Sequence, residues 1–125
     1  MENILLIEDD PFLVDIYTTK LKESGFTVDA ATDGEQGLRK LSEKNFDLLV
    51  LDIVLPQIDG WEILEKIKDL RFNIKNLETL KIVVLSNLGQ KEEVEKGMEM
   101  GATKYLIKAH YTPTEVVEEI KKVLK

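Results

Sequence analysis

The sequence predicts an α/β fold of five βα units: a doubly wound, five-stranded parallel sheet of order 2-1-3-4-5, with helices on both faces. Three observations carry this. Continuous apolar runs recur at Ile4–Ile7, Leu48–Leu51 and Ile82–Leu85, each too short for a helix and rich in branched side chains; such runs read as central strands covered on both faces. Between them lie segments with apolar residues at helical spacing, opened by Asp, Thr or Pro and closed by Gly. Every strand is followed by a helix, so the connections are parallel, right-handed crossovers.

In order, strand 1 (Ile4–Ile7) ends in Glu8, Asp9 and Asp10, and Pro11 suits a first helical turn with Asp10 as N-cap. Leu13, Ile16, Tyr17 and Leu21 recur at helical spacing up to Gly25. Phe26–Ala30 alternates apolar and polar, as an edge strand does, and Thr32-x-x-Glu35 reads as a capping box opening a helix with Leu38 and Leu41 inward. Strand 3 ends in Asp52. Pro56 and Asp59-Gly60 mark a loop and the start of a helix carrying Ile63, Leu64, Ile67 and Leu70. From Arg71 to Leu80, Ile74 and Leu77 either extend that helix or pack a long loop. Strand 4 ends in Ser86-Asn87, a helix spans about 90–100 before Gly101, and strand 5 (Tyr105–Ile107) ends in Lys108. Thr112-Pro113-Thr114-Glu115 is a second capping box, opening a last helix with Val116, Val117, Ile120, Val123 and Leu124 on one face.

A chain of 125 residues reads as one domain over 1–125, with no output domain. A net charge of −7 opposes direct nucleic-acid or anionic-membrane binding. With no cysteine there is no disulfide, thiolate zinc site or cysteine nucleophile. No stretch approaches a signal peptide or a membrane span, so the expected location is cytoplasmic.

The strand ends gather polar groups on one edge of the sheet: Glu8 and Asp9, Asp52, Ser86 and Lys108. Strands 1 and 3 flank the switch point where open α/β sheets bind ligands. Polar residues also sit wherever strands meet solvent, so each alone says little; the combination points to a site. Three converging carboxylates repel unless a cation shares them, and an all-oxygen set of this size suits Mg²⁺ better than a Ca²⁺ cage. Mg²⁺, a lysine and a hydroxyl around a carboxylate are the parts of phosphoryl transfer, with Asp52 as nucleophile.

The pattern Ile-Glu8-Asp9-Asp-Pro, Leu-Asp52-Ile-Val-Leu-Pro56-x-x-Asp59-Gly60, Leu-Ser86-Asn and Tyr105-Leu-Ile-Lys108 resembles the receiver domain of two-component response regulators, a flavodoxin-like fold. The resemblance covers the chain from Ile4 to the last helix. It implies that Asp52 is the phosphoacceptor and Asp9 a direct Mg²⁺ ligand. Glu8 would act largely through water, and the Val54 carbonyl would complete the protein ligands. Ser86 and Lys108 would bind the phosphoryl group, and Tyr105 would be the aromatic switch that turns inward with Ser86. The implied donor is a histidine kinase or a phosphotransfer protein. The implied output is control of a protein target, or a phosphorylation-dependent homodimer, through the face of helix 4, strand 5 and helix 5. Two features depart from the family: Ala109 stands where it has a proline after a cis peptide, and Arg71–Lys81 is longer than usual. A cis bond before a non-proline costs about 2.5–4 kcal/mol, so the Lys108–Ala109 bond is expected to be trans, or else a strained exception.

Two other classes compete. A phosphatase of the haloacid-dehalogenase type needs a second acid two residues after its nucleophile; here those positions are Val54 (after Asp52) and Pro11 (after Asp9). The reading is therefore a switch and not an enzyme. A receiver-shaped interaction module that is never phosphorylated would have no use for the retained acids and lysine. Elsewhere, His110 reads as a solvent-facing loop residue, Trp61 as packing, Met98 and Met100 as core filling, and Lys91–Lys96 as a solvated helix face.

Overall fold

The computed structural model describes residues 2–70 and 77–125. The elements alternate as β1 (Asn3–Ile7), α1 (Pro11–Glu23), β2 (Thr27–Ala31), α2 (Gly34–Glu43), β3 (Leu48–Leu51), α3 (Gly60–Leu70), β4 (Lys81–Ser86), α4 (Lys91–Glu99), β5 (Lys104–Ile107) and α5 (Pro113–Leu124). All strand pairs are parallel and the sheet order is β2-β1-β3-β4-β5, as the sequence predicts.

Successive strand residues point to opposite faces, and this alternation divides the core in two. Leu5, Ile7, Leu49, Leu51, Ile82 and Val84 meet Leu41 of α2 and Ile63, Leu64 and Ile67 of α3. Ile4, Leu6, Leu48, Val50, Val83 and Leu85 meet Tyr17 and Leu21 of α1 and Val116, Val117 and Ile120 of α5. That double covering is why these strands are apolar throughout.

The helix starts follow the cap chemistry. Asp10 Oδ1 accepts from the amide of Phe12 at 2.9 Å, and Asp59 Oδ1 from that of Glu62 at 3.0 Å. Thr112 and Glu115 close a reciprocal capping box. At α2 the structure corrects the reading by one residue: Asp33, not Thr32, is the N-cap, and its Oδ1 accepts from Gln36 N at 2.8 Å. Asp33-x-x-Gln36 repeats the motif one step on. Gly34 also fits the first turn there, since a Cβ on it would lie 2.8 Å from the Ile58 carbonyl oxygen. Strand β2 likewise runs from Thr27 to Ala31, not Phe26 to Ala30; Phe26 N is bonded back to Leu21 O across the turn at Gly25, whose φ is +96°.

Part of the Arg71–Leu80 question, Ile74 included, lies outside the described residues; Leu77 and Leu80 are buried in the core. No described peptide bond is cis, so Lys108–Ala109 is trans.

Candidate functional site

Asp52 and Glu8 each follow a strand and continue its pairing by one residue. Asp52 N donates to Ile7 O and Glu8 N to Ala31 O, both at 3.1 Å. This last rung fixes both carboxylates at the carboxyl edge of the sheet, where Glu8 is 2% and Asp52 5% exposed. Lys108, just past β5, reaches across: its Nζ lies 2.6 Å from Glu8 Oε1 and 2.8 Å from Asp52 Oδ2. The remaining oxygens are engaged locally, Glu8 Oε2 by the amide of Asp10 at 3.1 Å and Asp52 Oδ1 by that of Val54 at 3.2 Å.

Asp9 is exposed beside this buried pair. One carboxylate oxygen from each of Glu8, Asp9 and Asp52 lies within 4.8 Å of the others, a hard-oxygen set suited to a divalent cation. Three negative charges against one lysine leave the cluster short of positive charge. Burial pushes the Glu8 carboxyl above its ordinary range, Lys108 and the Asp10 amide oppose this, and the Asp52 charge adds to it. Burial pulls the Lys108 ammonium down, but its bonds to Asp52 and Glu8 outweigh that, and it titrates above its ordinary value.

The site opens into a cleft of about 400 Å³ lined by the three acids, Asp10, Leu13, Val54, Asn87 and Lys108. Val54 is 57% exposed over it. The sequence pattern assigns Asn87 no role of its own; its place directly after the strand-4 serine is the available signal. Ser86 itself is fully buried, its Oγ accepting from Leu88 N at 3.3 Å. The loop after β3 is folded back tightly: Gly60 N donates to Ile53 O at 2.8 Å, and a Cβ on Gly60 would fall 2.5 Å from Ile53 Cα. Gln57 in that loop has φ +64°, a left-handed conformation that side chains resist.

Tyr105 Oη donates to Leu88 O at 2.5 Å. Burial, then the charges of Glu93 and Asp52, push its phenol up to about 12. His110 is exposed, as expected, and Trp61 packs against the core. One expectation on α4 fails. Met98 is 45% exposed, because a helix that turns Gly97 inward points the next residue away; Met100 does pack on the core. The Lys91–Lys96 run is largely exposed, as expected, and the exposed Lys96 also places its Nζ 4.4 Å from the centroid of the Trp61 ring.

The model of the response regulator receiver domain family matches residues 4–121. The chain belongs to that family. Receiver domains act as phosphorylation-operated signalling switches rather than as conventional enzymes, and they bind Mg²⁺ at an acidic pocket. Among relatives, this receiver is 32% identical over 126 residues to the alkaline phosphatase synthesis transcriptional regulatory protein PhoP of Bacillus subtilis, covering 99% of this chain and 49% of that protein. It is 34% identical over 122 residues to the probable transcriptional regulator ycf29 of Porphyra purpurea, covering 98% and 56%. The chain thus spans about half the length of the curated relatives it matches. Among solved structures, a CheY-like receiver domain protein from Methanospirillum hungatei superposes with a TM-score of 0.86 at 29% identity, covering 99% of this chain and 94% of that one. The response regulator TrrA of Thermotoga maritima, solved in complex with Mg²⁺–BeF, gives 0.79 at 29% identity, covering 98% and 99%. No helix among the described residues is long and apolar enough to cross a membrane.

Proposed function

We propose that this receiver is switched by phosphorylation of Asp52. The observation that carries the reading is the grip of Lys108 on Asp52 and Glu8, at the point where Asp9 adds a third carboxylate. In transfer from a phosphohistidine, an Asp52 carboxylate oxygen bonds to phosphorus as the phosphorus–nitrogen bond breaks, and the electron pair stays on the imidazole. Lys108, already 2.8 Å from the carboxylate, follows the charge onto the phosphoryl oxygens. Ser86 turns its hydroxyl to the same group and gives up the Leu88 amide. Glu8, Asp9, Asp52 and the Val54 carbonyl are the residues that would hold Mg²⁺, Glu8 largely through water. When bound, Mg²⁺ supplies charge that offsets the negative charge of the transferred group.

The donor in this reading is a histidine kinase or a phosphotransfer protein, and the location is the cytoplasm, where the ATP that charges such a kinase is held. The output is a protein target met through the face of α4, β5 and α5, with a phosphorylation-dependent homodimer through that face as its self-associating form. The net charge of −7 speaks against direct nucleic-acid contact by this chain. The test is titration with beryllium fluoride, a phosphoryl mimic. In the presence of Mg²⁺ the amides of Asp52, Ser86, Leu88 and Lys108 should shift in a two-dimensional NMR spectrum. No shift at saturating Mg²⁺ would favour the receiver-shaped module that is not phosphorylated.

A further inference from the structure

Asn87 takes no part in the steps above, yet it lines the cleft over Asp52. Ser86 Oγ accepts from the Leu88 amide at 3.3 Å and closes a short turn with Asn87 at its tip. Leu88 packs its side chain on the core, while Asn87 is exposed. Among the described residues no protein group is bonded to the Asn87 carboxamide. The other groups around the cleft are committed. Glu8, Asp9 and Asp52 form the acid cluster, Lys108 grips two of them, and Asp10 Oδ1 caps α1. Leu13 and Val54 are apolar. Asn87 is therefore the uncharged cleft residue that can both donate and accept a hydrogen bond.

A phosphoryl group on Asp52 is lost to water by in-line attack. The water oxygen bonds to phosphorus as the bond from phosphorus to the Asp52 oxygen breaks, and the electron pair stays on the carboxylate. One proton of the water remains on the inorganic phosphate and the other passes to solvent. Asp52 is 5% exposed beneath the cleft, so the water enters from the open side, past the exposed Val54 and Asn87. Lys108 and Ser86 attend the phosphoryl oxygens, which leaves the entering water without a partner unless Asn87 supplies one. Consecutive Cα atoms lie about 3.8 Å apart. Once Ser86 bonds a phosphoryl oxygen, its neighbour Asn87 stays beside the phosphorus, whichever arrangement the rest of the loop adopts. We propose that Asn87 is a catalytic residue of the resetting step: its carboxamide holds the hydrolytic water on the line of attack and so sets how long Asp52 stays phosphorylated. This rests on the reading of Asp52 as phosphoacceptor. The amide oxygen accepts a hydrogen bond from the water and takes no proton, so it orients without acting as a base. Orientation alone gives a modest acceleration, in keeping with a slow reset where positions 54 and 88 are apolar.

The experiment phosphorylates the chain with acetyl phosphate and Mg²⁺, removes the donor, and follows decay by intact mass for the wild type, Asn87→Ala and Asn87→Leu. Loss of one orienting hydrogen bond should slow decay about tenfold in both variants. Leucine keeps the bulk of asparagine and loses its hydrogen-bonding groups, so it separates chemistry from space filling. Asn87→Gln keeps the carboxamide and should return part of the lost rate. Position 87 is exposed, so all three variants should melt with the wild type. If Asn87 only crowds the cleft, Asn87→Ala decays faster than the wild type and Asn87→Leu matches it; either result overturns the proposal. Equal decay in all the proteins overturns it as well and leaves the phosphorylation reading standing. A wild type that takes up no phosphoryl group overturns that reading, and the proposal with it.

Discussion

Replacing Lys108 with Met removes the cation that bridges Glu8 and Asp52 while keeping an unbranched, apolar stem. Both carboxylates are nearly buried, and breaking such a pair leaves uncompensated charge at a cost of about 3–5 kcal/mol. Asp52 borders an open cleft of about 400 Å³, and solvent there lowers the expectation to about 2–3 kcal/mol. For a domain of this size that is a fall in melting temperature of roughly 8–12 °C. The loss should depend on pH. The Glu8 carboxyl already titrates high because burial disfavours its charge, an effect that Lys108 partly offsets. A folded-state pKa above the unfolded one gives stability that is present at low pH and lost as pH rises through the folded value. Without Lys108 the Glu8 value rises further, so the deficit should be largest near about pH 8 and shrink toward about pH 5. Thermal melts of the metal-free proteins at both values measure it. Mg²⁺ should return part of the loss, and Glu8→Gln in the Lys108→Met background should recover most of it. A Lys108→Met protein that melts with the wild type at both pH values refutes the account of the charge balance.

Three further outcomes follow from the same geometry. Asp9 is exposed and is the carboxylate Lys108 does not touch, so Asp9→Asn should raise metal-free stability by about 0.5 kcal/mol and abolish stabilisation by Mg²⁺; a lower metal-free midpoint contradicts the charge argument. Gln57→Gly should stabilise the loop after β3 by about 0.5–1 kcal/mol, because glycine accepts φ +64° without strain; chemical denaturation checks it, and a destabilised variant is the contrary result. The family likeness puts Val54 and Leu88 forward as the positions that would overlook the hydrolytic water. The Val54 side chain is over the cleft while that of Leu88 packs on the core, so Val54→Asn is the cleaner probe. Decay of the phosphorylated wild type should be slow and should quicken in the variant; equal rates remove Val54 from the control of decay.

How far the sequence could be read depended on whether a feature is local. The strands were legible because burial on both faces leaves unbroken apolar runs such as Leu48–Leu51, and their polar ends then named Glu8, Asp52, Ser86 and Lys108 together. The α2 cap was read one residue early because Thr32-x-x-Glu35 and Asp33-x-x-Gln36 overlap, and the choice between them is made by Gly34 fitting under Ile58, a contact between segments far apart in sequence. The exposure of Met98 turns on the rotation of a short helix, which its sparse apolar pattern does not fix. The Lys96–Trp61 pair has no local signature, since it joins residues of different elements. The exact work of Lys108 was also beyond sequence: strand order puts it at the right edge, but only the structure shows it bridging two carboxylates.

The most direct test of the central claim is phosphorylation of the intact chain by acetyl phosphate with Mg²⁺, followed by intact-mass spectrometry and peptide mapping. The account predicts one added phosphoryl group, located on Asp52, dependent on Mg²⁺ and absent in Asp52→Asn. Undiminished labelling of Asp52→Asn, or labelling that ignores removal of Mg²⁺, would contradict it.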